Sequence, residues 1–142
     1  MLRRAVLTAL IVSIATPSVA EARWNHPMPY DWYVDLAHCE SGTGPDTPEV
    51  PITVGPSYTG YFGIHRQTWR RWADSPSARG KTFAAQARVV DRIAWFGHTE
   101  RGERVWPVGP YGWGSVKANC RNLATRLCHS RHPIVRRKAR NC

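Results

Sequence analysis

Acidic residues are scarce in this chain, and past Glu103 there are none. Ten Asp and Glu stand against twenty Lys and Arg, a formal charge of +10. Such a balance points to an anionic partner. Nucleotide-cradling and metallopeptidase signatures are also missing: there is no P-loop, no G-x-G-x-x-G and no H-E-x-x-H. No serine sits in a G-x-S-x-G elbow, so the usual nucleophilic hydrolase pattern is absent as well. There is no internal repeat, no long linker and no separate binding module. No C-x-x-C occurs. The gaps among Cys120, Cys128, His129, His132 and Cys142 match no common zinc module, so no metal is assigned. Only one long apolar run exists, Ala5 to Ala15, broken by Thr8 and Ser13.

That run follows Arg3 and Arg4, and small residues at Ser18 to Ala22 suit a cleavage site. Residues 1–22 are therefore expected to be a secretory signal peptide, too short to span a bilayer. The protein is expected outside the cytoplasm, secreted and associated with the cell wall. Export changes the meaning of Cys39, Cys120, Cys128 and Cys142. An even count outside the cytoplasm suggests two disulfides, with three connectivities open. For an exported cation, wall polymers or membrane surfaces are the expected anions, not nucleic acid.

The most informative stretch is Asp31 to Gly42, which reads as a short helix with Asp31 as N-cap. Trp32, Leu36 and Glu40 recur at i, i+4 and i+8, and Tyr33 and Ala37 widen that face. Glu40 thus ends an apolar stripe, and Gly42 suits a left-handed C-cap. A carboxylate there meets the negative end of the helix dipole among apolar neighbours. That is the setting in which a general acid is made.

The rest of the chain reads in order. Arg23 to Tyr30 is an extended, Pro-containing lead-in. Residues 43–57 are a Pro-rich loop with a short strand at Ile52 to Val54, returned by Tyr58 to Gly63. Ile64 to Ala73 reads as a helix, stopped by Asp74-Ser75-Pro76. The strongest helix is Thr82 to Phe96, with Phe83, Ala87, Val90, Ile93 and Ala94 on one face and Thr82 as cap. Asp91 is placed away from that face. His98 to Arg104 is a polar connector. Trp106 to Gly114 is an aromatic loop whose rings either plug the core or line a cleft. Ser115 to Leu127 is a last helix with Val116, Cys120, Leu123 and Leu127 inward, where Cys39 can meet Cys120. Residues 128–142 form a basic tail, with Arg131, Arg136, Arg137, Lys138 and Arg140.

Several of these elements together resemble the transglycosylase-like domain of resuscitation-promoting factors, within the lysozyme-like superfamily. They are Leu36-Ala37-His38-Cys39-Glu40-Ser41-Gly42, Gly60-Tyr61-Phe62-Gly63-Ile64, Thr68-Trp69, Gln86, the Val90 to Gly97 helix end and Trp106-Pro107-Val108. The resemblance spans about Trp32 to Cys120. Three departures stand out. Gly109 occupies the place of the family's second cysteine, and the nearest one here is Cys120. The loop before Tyr61 is longer than usual. His65 follows Ile64, with Gln67 two positions later, where the family has a glutamine sooner.

The resemblance implies an α+β, predominantly α, compact lysozyme-like domain over residues 23–127, stapled by disulfides, with one short β-hairpin. It implies cleavage of the β-1,4 bond between N-acetylmuramic acid and N-acetylglucosamine in peptidoglycan. Glu40 falls on the catalytic acid. Thr59, Tyr61, His65, Gln67, Trp69 and Trp106 are candidates for lining the cleft. No second carboxylate stands in a motif, which favours a lytic transglycosylase over a two-carboxylate muramidase. A non-catalytic glycan-binding protein is the alternative. No cofactor is needed. The expected partners are glycan strands, anionic wall polymers through the basic tail, and a wall endopeptidase.

Overall fold

A computed structural model describes residues 24–47 and 57–139. The expected signal peptide, the strand expected at Ile52 to Val54 and the placement of Cys142 lie outside the described residues. What is described is a small, mostly helical α+β domain with two short hairpins and a disulfide between Cys39 and Cys120. No described helix is long and apolar enough to cross a membrane.

Helix α1 spans Tyr30–Ser41. Its apolar stripe does what the spacing predicts: Trp32, Tyr33, Leu36 and Ala37 are all fully buried. Burying each large side chain contributes roughly 1.5–3 kcal/mol. Trp32 also donates its indole N–H to the Leu123 carbonyl at 3.2 Å, so its polar atom is satisfied inside the core. The expected cap at Asp31 is not there. The helix begins two residues earlier, behind Pro29, and Asp31 sits in its first turn, where the Asp31 carboxylate pairs with Arg126 at 2.8 Å. Asp35, one turn on, holds Arg121 and Arg126 at 2.8 and 2.7 Å. Gly42 ends the helix in the left-handed conformation, φ 74°.

Strands β1 (Tyr58–Thr59) and β2 (Ile64–His65) pair antiparallel across a turn at Gly60 to Gly63. Of the returning strand expected at Tyr58 to Gly63, Tyr58–Thr59 is extended and Gly60 to Gly63 form the turn. Ile64 and His65, read as the start of a helix, pair as a strand instead. Helix α2 then covers Arg66–Trp72. Helix α3 spans Phe83–Asp91 and is capped by the Thr82 hydroxyl, which accepts from Ala85 N–H at 3.2 Å. Phe83, Ala87, Val90, Ile93 and Ala94 are buried as their periodicity requires.

Two features of this region depart from the expectation. The helix widens into a π turn over Arg92–Phe96, closed by Gly97 N–H on the Arg92 carbonyl at 2.8 Å. Asp91 is also buried, not turned to solvent. Its carboxylate accepts from the Tyr33 hydroxyl and lies 2.5 Å from His26 Nδ1 on the lead-in segment. Burial and the neighbouring Asp91 charge hold the Tyr33 phenol well above its ordinary range.

The polar connector is a second hairpin, β3 (His98–Glu100) with β4 (Glu103–Val105), turned by Arg101 and Gly102 at φ 51° and 85°. Two central residues with positive φ suit a tight hairpin turn. The expected last helix is broken. Helix α4 covers Gly114–Lys117, a 3-10 turn covers Cys120–Asn122, and α5 runs Leu123–Cys128. Asn119, Arg121 and Asn122 all take left-handed backbone, which interrupts the α-helical ladder. The inward face survives the break: Val116, Leu123 and Leu127 are fully buried. Packing continues past Leu127, because helix α6, Pro133–Lys138, buries Val135 in the same core.

Candidate active site

The last turn of α1, the β2 edge, the π turn and the aromatic loop enclose a cleft of about 580 Å³ with Glu40 in its wall. Each wall has a local cause. The Cys39–Cys120 disulfide, joining residues 81 apart, ties the end of α1 to the turn between α4 and α5. Cys120 is thereby committed to Cys39 and not to a zinc set. Cys128 is disulfide-bonded as well. The Ile93 carbonyl, in the π turn, accepts from both Val108 N–H at 2.8 Å and Gly109 N–H at 3.2 Å. This pins the aromatic loop, so Ile93 and Val108 form one side of the cleft. Trp113 is 7 % exposed and donates its indole N–H to the Phe62 carbonyl at 3.1 Å. It plugs the core and lines the cleft at once.

Glu40 is half-buried, and its two oxygens differ. Oε1 accepts from Ser115 N–H at 3.1 Å and from the Ser115 hydroxyl at 2.5 Å. No hydrogen bond reaches Oε2 among the described residues. A Cβ placed on Gly63 would lie 3.6 Å from that oxygen. A glycine at 63, at φ 53°, therefore leaves the approach to Oε2 clear where a longer side chain would cover it. One oxygen is fixed and the other is presented, which is the arrangement a proton donor needs. Among the described residues that line the cleft, Glu40 is the only acidic one. The exposed Asp46 carboxylate lies beside His38 at 3.4 Å instead. No group of three or more potential metal ligands occurs among the described residues.

The structure brings some of the expected site residues together and separates others. His65 lines the cleft, with Tyr58 edge-on to its ring at 5.5 Å across the hairpin. Thr59 and Tyr61 are buried behind it; Tyr61 packs on Phe83, and its N–H bonds to Gln86 Oε1 at 2.9 Å. Gln67 is exposed on the first turn of α2, away from the cleft lining. Trp69 is 1 % exposed and gives its indole N–H to the Ser75 carbonyl at 3.0 Å, so it packs in the core. Trp106 is 75 % exposed, outside the cleft, with the Arg104 guanidinium 5.7 Å from its ring centre.

Comparison with known proteins leaves the chain without a match. No family model, no curated protein and no solved structure is significantly similar to it. The site must therefore be read from its own atoms. Sequence reasoning missed Ser115, Tyr58 and Ile93. The sequence marks Ser115 only as the start of a helix, 75 residues from Glu40. The available signal was a serine in a first helical turn, where its N–H and hydroxyl are both free to donate.

Proposed function

We propose that this chain is an exported enzyme that cleaves the β-1,4 bond between N-acetylmuramic acid and N-acetylglucosamine in peptidoglycan. The observation that carries the proposal is the asymmetry of Glu40: Oε1 is held by Ser115, while Oε2 faces an open cleft. The resemblance of Cys39-Glu40-Ser41-Gly42 and Gly60 to Ile64 to the resuscitation-promoting factor domain supplies the substrate class. Protonated Glu40 gives its proton to the glycosidic oxygen as positive charge develops at the anomeric carbon. The carboxylate that remains takes the proton of the muramyl 6-hydroxyl, whose oxygen closes on that carbon. The product is a 1,6-anhydro sugar, and no water enters. Two-carboxylate hydrolysis fits less well, because among the described residues no second carboxylate lines the cleft.

One observation favours a second reading. The two bonds from Ser115 also make Glu40 a cap on the start of α4. A carboxylate used only for capping belongs to a glycan-binding protein without turnover. Digestion of purified peptidoglycan in oxygen-labelled water separates these readings. Transglycosylation predicts anhydro products with no label. Labelled reducing ends would mean hydrolysis. Protein that pellets with the wall and releases nothing would leave the binding reading.

A further inference from the structure

The cleft at Glu40 has a neighbour on the far side of Val108. This residue is 65 % exposed and lines the cleft; it also borders a second hollow of about 330 Å³. The other wall of that hollow is helix α6, which contributes Arg137 and Lys138. Burial of Val135 fixes the helix in place, and its last turn carries the cations. Arg92, Arg121 and Arg126 are occupied by Asp74, Asp35 and Asp31. Arg137 and Lys138 have no carboxylate partner among the described residues, and no acidic residue follows Glu103 to supply one. A guanidinium and an ammonium on one wall of a hollow are a match for a carboxylate, which each binds by charge-assisted hydrogen bonds.

We propose that Arg137 and Lys138 bind a carboxylate carried on a side group of the same glycan strand whose backbone lies at Glu40. This rests on the glycan reading of the cleft. It narrows the substrate to an acidic glycan, with a neutral β-1,4 glycan of equal length bound less well. Phosphate is also suited to these two cations. A carboxylate is favoured because the hollow and the cleft share Val108, so the anion comes from a substituent of the bound strand.

Calorimetric titration of the full chain tests this. The ligands are soluble peptidoglycan fragments that keep their acidic stem peptides, and chitooligosaccharides of the same length. An Arg137→Gln/Lys138→Gln variant is titrated alongside, with folding checked by circular dichroism. The expected result is a loss of about tenfold or more in affinity for the acidic fragments and no change for the neutral ones. Equal loss for both, or no loss, overturns the proposal. If the variant does not fold, the salt dependence of the wild type decides. Affinity for the acidic fragments falls as salt rises while affinity for the neutral ones holds; parallel behaviour overturns the site. Poly(glycerol phosphate) that displaces the acidic fragments at lower charge concentration than they themselves need overturns the carboxylate assignment. Wild type that prefers the acidic fragments but never cleaves them retains this site while the enzymatic reading fails. Cleavage with no such preference does the reverse.

Discussion

Replacing both members of the Cys39–Cys120 bridge by alanine removes a constraint that closes a loop of 81 residues. In the chain-entropy model the denatured chain regains about 4.5 kcal/mol of freedom at 25 °C. Both cysteines are only half-buried, so the lost packing is a small addition. A domain of this size has about 5–15 kcal/mol in all, so the variant is left close to the threshold of folding. Its melting temperature falls by about 15–20 °C, at roughly 4 °C per kcal/mol. The assay is urea denaturation at low temperature, wild type against the double variant, with slopes compared to confirm that the denatured states match. The same variant releases the end of α1, so Glu40 loses its fixed relation to Ser115 before the domain unfolds. A loss of about 1 kcal/mol or less refutes the reasoning, because it means the uncrosslinked chain already holds these segments together.

Three further outcomes follow from single contacts. Ser115→Ala removes the hydroxyl on Glu40 Oε1 while Ser115 N–H remains, so cleavage falls about tenfold and stability by only about 1 kcal/mol. Ser115→Thr restores cleavage; unchanged cleavage in the alanine variant removes the positioning role. The raised Tyr33 phenol makes the native state bind more protons than the unfolded chain in alkali. This contribution to stability is therefore full below about pH 10 and is lost as pH rises toward the folded value, so Tyr33→Phe makes the alkaline fall shallower in urea titrations. Gly97→Ala places a Cβ 2.2 Å from the Val105 carbonyl at φ 70°, and costs about 2–4 kcal/mol by thermal denaturation.

How much of this was legible in the sequence depends on the range of the contact. Helix α1 and the inward face of α3 were legible because Trp32, Leu36, Phe83, Ala87 and Val90 repeat at helical spacing within one element. The Gly42 stop was legible for the same reason: glycine adopts the left-handed cap that ends a helix. Asp91 was not legible. Its partners, Tyr33 and His26, lie 58 and 65 residues away, and a lone aspartate on a helix reads as solvated until they arrive. The break between α4 and α5 hides in three residues, Asn119, Arg121 and Asn122, that give up α-helical backbone although their neighbours keep an inward periodicity. Hairpin β3–β4 hides because its strands are short and mostly polar, with no alternating apolar face. Trp69 and Trp106 show the limit for aromatics. The sequence marks them as large rings, and only packing decides that one is sealed in the core and the other stands on the surface.

The candidate site divides in the same way. Glu40 is identified by its place at the end of an apolar stripe. The residues that give it chemical form, Ser115 on one oxygen and Gly63 near the other, come from distant segments joined by folding. The most direct test compares the rate at which the folded chain and its Glu40→Gln variant release soluble fragments from purified peptidoglycan. Glutamine keeps the shape and can still accept from Ser115, but it has no acidic proton to transfer. The proposed mechanism predicts release by the wild type and a drop of about a hundredfold or more in the variant. A Glu40→Gln protein that releases fragments as fast as the wild type contradicts it.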